Sequence, residues 1–300
     1  MDFGIALPTA ADSWRVVREA EELGFSHAWF YDTQMLSADC FVAMGAAAVN
    51  TKRIRLGTGV LVPSNRIAPV TANALATLNR LAPGRIDFGV GTGFTARRAM
   101  GFGAIKVKDM EIYIGQVYGL LRRETVEFEM EGQRKKIRFL NPELPLFNTT
   151  NPIALHLSAF GPRTRSLTAK LKAGWIDFVG KVEAGIKEVQ AMRAAWSEAG
   201  HALGDLQATA FALGCVLHEG EPADSPRAMA QAGPRAAVAL HRAADEVLMG
   251  LAPTMTMVSN GTRELQDYVA LARTFEPKDA PWLENHRGHL MFVKPEERPF

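Results

Sequence analysis

Short apolar or aromatic runs alternate with longer segments of helical periodicity from the first residues onward, and this alternation constrains the fold more than any other feature. FGIAL (3–7) reads as a strand. Residues 13–23 read as a helix, with Asp12 or Ser13 as its cap and Gly24 as its stop. HAWFYD (27–32), a helix over about 40–50, RIRLGTGVLV (53–62), a helix over 69–81 and RIDFGVG (85–91) continue the cycle. A helix over 109–124 is followed by VEFEMEGQRKKIRF (126–139), whose apolar and polar residues alternate about Gly132 in the pattern of a hairpin, so that about 126–150 reads as an insertion. IALHLSAF (153–160), a helix over 162–172, WIDFVG (175–180), a helix over 181–199, QATAFALGCVL (207–217) and a helix over 225–250 resume it.

Repeated strand-helix units imply parallel strands, and the near-continuous apolar strands imply burial on both faces. Seven or more such units fit an α/β fold of the (β/α)8 TIM-barrel type better than an open doubly wound sheet. The expectation is one domain over 1–300, with an irregular region from 251 onward. TMTMVS (254–259) and HLMFV (289–293) are the two candidates for an eighth strand, and the abrupt end at Pro299-Phe300 suggests a truncated closing unit.

The totals narrow the function. With 47% hydrophobic residues the chain can bury a large core, and 34 Lys and Arg against 32 Asp and Glu give no field that would draw in nucleic acid or an anionic membrane. The basic run Arg134-Lys135-Lys136 reads as a solvated edge. The two cysteines, Cys40 and Cys215, are far apart, which fits a reducing compartment and no metal-ligand pair. No run reaches the roughly 20 apolar residues of a membrane span, and MDFGIALPTA lacks the pattern of a signal peptide, so a cytoplasmic location is expected.

In a barrel of this kind the chemistry sits where strands end and the following loops begin. GVGTGF (89–94) superficially matches a dinucleotide fingerprint, but Ala96 stands at the third glycine position and no strand ending in an acid follows about 20 residues later, so a nicotinamide site is set aside. SAFGPRTRS (158–166) leads from a strand into a helix through glycine and proline, and exposed backbone N–H groups with Arg163 and Arg165 would suit an anion; an ordinary helix start is the competing reading. Asp32, with Gln34 close by, is either a polar pocket wall or a helix cap. His156 reads as a satisfied core histidine, and His286 and His289 lack an acidic partner at metal-ligand spacing, so no metal site is expected.

Residues 53–93 (RIRLGTGVLVPSNRIAPVTANALATLNRLAPGRIDFGVGTG) and 155–176 (LHLSAFGPRTRSLTAKLKAGWI) together resemble the bacterial-luciferase-like flavin and deazaflavin oxidoreductases. The resemblance runs over most of 1–216 and fades toward the C-terminus. It implies a (β/α)8 barrel, usually a homodimer, that binds FMN or a deazaflavin coenzyme at the carboxyl ends of its strands. It further implies a bulge on the third strand with a non-proline cis peptide at Gly59–Val60 backing the ring, beside Thr58. Gly57 and Gly59 are then expected to be glycine because a Cβ would strike the ring or strain the bulge. Ser158, Ala159, Gly161, Pro162 and Arg163 correspond to the phosphate site, and Leu7 and Thr92 to the ring cavity. Two positions depart from the pattern: Thr33 stands where many members have a histidine, and Phe94 where deazaflavin-dependent dehydrogenases and reductases commonly have Asp or Glu.

The leading functional expectation is an FMN-dependent monooxygenase that acts on a small organic substrate with oxygen and with reduced flavin supplied by a separate flavin reductase. Asp32, Thr33 and Gln34 would then hydrogen-bond substrate or peroxide, and Met35, Phe94 and Phe102 would line an apolar substrate cavity. Deazaflavin-dependent hydride transfer is the alternative, and a noncatalytic flavin-binding protein the third reading.

Overall fold

The structure, a computed structural model, describes residues 1–251 and 262–300. They form two compact units: Met1–Gly93, Ile105–Asp177 and Ile186–Ala210 make the larger, and Phe94–Ala104, Phe178–Gly185 and Phe211–Phe300 the smaller.

In chain order the elements are β1 (Gly4–Leu7), α1 (Trp14–Glu22), β2 (His27–Phe30), α2 (Cys40–Asn50), β3 (Arg55–Thr58), α3 (Ala68–Leu81), β4 (Ile86–Val90), α4 (Phe94–Arg98) and α5 (Val107–Leu121). There follow β5 (Val126–Met130), β6 (Gln133–Ile137), β7 (Ala154–Ser158), α6 (Pro162–Lys170), β8 (Gly174–Phe178), α7 (Val182–Glu198) and β9 (Ala208–Phe211). The chain continues through α8 (Pro226–Leu248), α9 (Arg263–Ala272) and α10 (Trp282–Asn285). The sheet runs β1-β2-β3-β4-β7-β8-β9, with every pairing from β1 to β8 parallel. This is the sequential order of a (β/α)8 barrel, with seven of its strands among the described residues.

Local chemistry sets the boundaries. Asp39 caps α2 by accepting from the N–H groups of Phe41 and Val42 at 2.9 and 3.1 Å. Gly24 takes φ +90° just beyond α1, a conformation a side chain disfavours. Proline lies in the first turn of α3, α6 and α8, where no intrahelical N–H is needed. The buried carboxylate of Glu21 accepts from Lys52, Arg53 and Ile54 N–H, which fixes the entry into β3; burial would raise its pKa, but these donors hold it below the usual range. Leu56, Ile86, Phe88, Val90, Leu157 and Ile176 supply fully buried strand side chains.

The expected hairpin is present, with Val126 paired to Ile137 and the turn made by Glu131 and Gly132, both at positive φ. Arg134 faces Glu129 and Glu127 across it in solvent, at 3.5 and 3.8 Å, which accords with a solvated edge. Three expectations need correction. The strand expected over 207–217 stops at Phe211, and Val216 beyond it is 89% exposed, so the rest of the apolar run pairs with nothing among the described residues. HLMFV (289–293) is not a strand: Gly288 and Leu290 take positive φ, and Met291 and Phe292 both donate back to the Gly288 carbonyl. TMTMVS (254–259) lies outside the described residues. His156 is buried as expected but is not satisfied. Neither ring nitrogen is hydrogen-bonded, although Nε2 lies 3.5 Å from Asp87 Oδ1 and Trp29 meets the ring edge-on at 5.1 Å.

Candidate functional site

The third strand is bulged. Leu56 and Gly57 pair with Ile86 and Asp87, yet the next bridge joins Leu61 to Val90, so four steps along β3 match three along β4. The peptide Gly59–Val60 in this interval is cis, where the resemblance placed it. The Gly89 carbonyl anchors both sides, accepting from Thr58 Oγ1 at 2.6 Å and from Leu61 N–H at 2.8 Å. Thr58 is therefore buried and turned toward β4.

The glycines around the bulge have different reasons. At Gly57 a Cβ would lie 2.5 Å from the Trp29 ring, so this glycine makes room for a core side chain of the protein, which corrects the expectation that a bound ring excludes it. At Gly91 a Cβ would lie 2.8 Å from Val60 Cγ2 and 3.3 Å from Ser158 Cβ. Gly91 thus lets the ends of β3, β4 and β7 converge, bringing the cis peptide and the start of the SAFGPRTRS loop together. Thr92 follows directly, half-buried, its carbonyl accepting from Ile105 N–H at 3.0 Å; Leu7, also half-buried, ends β1.

In that loop Ala159 is committed to the sheet, its N–H donating to Ile176 at 3.3 Å and its carbonyl accepting from Trp175 Nε1 at 2.9 Å. Gly161 N–H meets Thr164 Oγ1 at 3.2 Å. The donors left facing outward by helix geometry are the N–H groups of Arg163 and Thr164. A Cβ at Gly161 would meet nothing within 4 Å, so the approach to these donors is open. Arg163 is exposed beside it. Arg165 adds little charge, because it is bound to Glu188 and to the Phe160 carbonyl.

Asp32 is buried and heavily engaged. Its carboxylate takes Arg66 at 2.6 Å, Val62 N–H at 3.1 Å and Asn65 Nδ2 at 3.1 Å, and Asn65 also reaches Gln34 Oε1 at 2.7 Å. Arg66 continues to Asp39. Asp32 therefore ties the loop after the bulge to the end of β2. Cys40 Sγ lies 3.6 Å from the same carboxylate, and burial together with Asp32 pushes its thiol pKa up. The Thr33 carbonyl accepts from the Ser37 hydroxyl at 3.1 Å, and Met35 is 70% exposed at φ +67°. Sequence reasoning does not connect Asn65 and Arg66 to Asp32, since ion-pair partners 34 residues apart leave no local signal.

Phe94 and Phe102 belong to the smaller unit, and both lie under guanidinium groups. Arg98 and Arg242 are 3.7 and 4.6 Å from the centre of the Phe94 ring, and Arg97 is 5.5 Å from that of Phe102. No group of acidic, histidine or cysteine side chains suited to a metal ion occurs among the described residues. No helix among them is long and apolar enough to cross a membrane.

Comparison with known proteins identifies the family. Residues 4–276 match the family described as luciferase-like monooxygenase. The chain belongs to that family. Among curated relatives, an F420-dependent glucose-6-phosphate dehydrogenase from Beutenbergia cavernae is 32% identical over 146 residues, covering 46% of this chain and 41% of the relative. A 5,10-methylenetetrahydromethanopterin reductase from Methanolobus tindarius is 29% identical over 157 residues, covering 52% and 46%. The matched part thus spans less than half the length of these relatives. Among solved structures, the monooxygenase RslO1 from Streptomyces bottropensis superposes with a TM-score of 0.62 at 21% identity, covering 97% of this chain and 90% of that one. The coenzyme F420 dependent tetrahydromethanopterin reductase from Methanopyrus kandleri gives 0.59 at 20% identity, covering 90% and 82%. These structural likenesses establish the shared barrel fold.

Proposed function

We propose that this luciferase-like protein is an oxidoreductase that binds a deazaflavin coenzyme of the F420 type and transfers hydride between it and a small organic substrate. The observation that carries this reading is the convergence of the Val60, Gly91 and Ser158 positions, which sets a narrow strand-end platform beside an open N-terminal helix turn. A planar ring on the platform and a phosphate at Ser158, Gly161 and Arg163 fit that arrangement, and the F420-dependent curated relatives favour deazaflavin over FMN. When bound, such a coenzyme supplies the hydride-carrying centre; the protein supplies position, shape and exclusion of water. Asp32, through Arg66, Asn65 and Val62, holds the loop after the cis peptide, and Leu7 and Thr92 would border the ring. The substrate's proton would have to be handled by a group other than residues 33 and 94, which here are threonine and phenylalanine.

That same absence favours a second reading, an FMN-dependent monooxygenase served by a separate flavin reductase, in which no acid is required at position 94. Under either reading we take the assembly to be a homodimer, since Val42 and Val49 of α2 and Val70 of α3 are half or more exposed. The test is coenzyme identification: protein purified from an F420-producing host should release a blue-fluorescent deazaflavin on denaturation. Yellow FMN would favour the second reading, and failure to bind either would remove both. Gly161→Asp, which adds a carboxylate in open space, should weaken coenzyme binding at least tenfold with an unchanged circular dichroism spectrum; equal affinity would overturn the phosphate site.

A further inference from the structure

A groove of about 480 Å³ lies within the larger unit, between the hairpin β5–β6, the start of α3 and the end of α5. Its walls are Ile67, Pro69, Leu120, Phe128, Met130 and Ile137. Ile67 and Met130 are about half exposed, so part of this apolar surface stays in contact with water. Small-molecule sites occupy about 300–1,000 Å³ and combine apolar walls with a few polar groups, and the groove has both properties.

Cross-strand register decides which charges meet the groove. Successive side chains point to opposite faces of a strand, so Lys135 shares the groove face with Phe128, Met130 and Ile137. On the outer face Arg134 and Lys136 stand opposite Glu129 and Glu127. Lys135 has no such counterpart, because its cross-strand neighbour is Phe128. Arg138 is a second cation at the groove, and among the described residues no ion pair or hydrogen bond reaches the head group of either. Gln133 adds an amide, and Glu131 lines the groove at the turn, the end of the hairpin remote from Arg138. Guarding an exposed strand edge accounts for charge on a hairpin, but not for two uncompensated cations placed around an apolar groove.

We propose that this groove binds a small amphipathic carboxylate, its acyl chain against Ile67, Leu120 and Phe128 and its ionised head between Lys135 and Arg138. The chain leaves water on the apolar walls, and the head gives both cations an acceptor. Repulsion from Glu131 orients the ligand with its head away from the turn. The site shares no residue with the proposed coenzyme site and does not rest on that reading.

Decanoate is the probe, titrated by calorimetry at pH 8 and below its micelle concentration into coenzyme-free protein. It should bind saturably, one molecule per chain, and at least tenfold tighter than decanol. Lys135→Glu combined with Arg138→Glu should weaken decanoate at least tenfold and leave decanol within twofold. Ile67→Asp should weaken both. All three positions are exposed, so an unchanged circular dichroism spectrum is expected in every variant. Gly161→Asp should leave decanoate affinity within twofold. Equal decanoate affinity in the groove variants, or a loss confined to Gly161→Asp, overturns the proposal. So does an Ile67→Asp protein that sediments as a monomer while the native protein is a dimer that binds no decanoate, which would give the groove to a second copy of the chain.

Discussion

Asp32 shows how a residue that looks catalytic in sequence can be a structural tie. Both carboxylate oxygens are engaged, and the side chain is 3% exposed. Replacing it with alanine would leave Val62 N–H buried without an acceptor and Arg66 with only Asp39. The cost of removing one partner from a buried, hydrogen-bonded pair is about 3 kcal/mol. Asp32→Ala should therefore lower the unfolding free energy measured in urea by that amount, and a change below ~1 kcal/mol would show the tie to be dispensable. Cys40 beside it should resist iodoacetamide in the folded protein, because burial and the neighbouring carboxylate both disfavour its thiolate. Rapid labelling at pH 7.5 would contradict this geometry. The sequence could place Asp32 at a strand end, but not reveal that Arg66, Asn65 and Val62 saturate it.

At the scale of elements, strands and helices were readable wherever apolar period and punctuation agreed. The hairpin followed from alternation about Gly132, and α6 from Gly161-Pro162. Where they disagreed the reading failed: residues 212–217 are apolar enough for a strand but have no partner among the described residues, and 289–293 are bent by Gly288 and Leu290. The third strand carries the bulge that the resemblance implies, but the group approaching Gly57 is Trp29 and not a ligand. Gly57→Ala consequently tests core packing. With 2.5 Å to the indole ring and 3.2 Å to Asp87 Cβ, the added methyl must displace Trp29. A destabilisation of about 1–3 kcal/mol is expected for such overpacking, read by chemical denaturation. Coenzyme affinity should change less than in Gly161→Asp; a larger loss would return Gly57 to the ring site.

Across the whole molecule, the least legible feature is a buried polar network in the smaller unit. His241 Nδ1 meets His289 Nδ1 at 2.7 Å, and His241 Nε2 meets Glu297 Oε1 at 2.6 Å. Tyr268, Asn285 and Lys294 close around them. Its members are spread over more than 50 residues, so neither period nor motif spacing marks them. Burial would raise the Glu297 pKa, but His241 and Lys294 hold it down at about 2. Burial lowers the pKa of His241 despite Glu297, and lowers that of His289 further, with His241, His286, Arg242 and Arg235 adding to it. A histidine whose folded pKa is depressed favours folding fully above its unfolded pKa of about 6.5, and that contribution is lost as pH falls below it. Glu297 acts in the same direction lower down, its contribution present above about pH 4.3 and lost on the way to 2. His27 in the larger unit shifts in the same sense through burial, but it is partly exposed and its share is smaller. Thermal unfolding should therefore show a stability that falls from about pH 6.5 downward, before most carboxylates titrate. His289→Gln removes one of the titrating groups, so its loss of stability between pH 7 and 5 should be shallower than that of the native protein. Parallel pH profiles for the two would mean that the histidine pair does not carry the dependence.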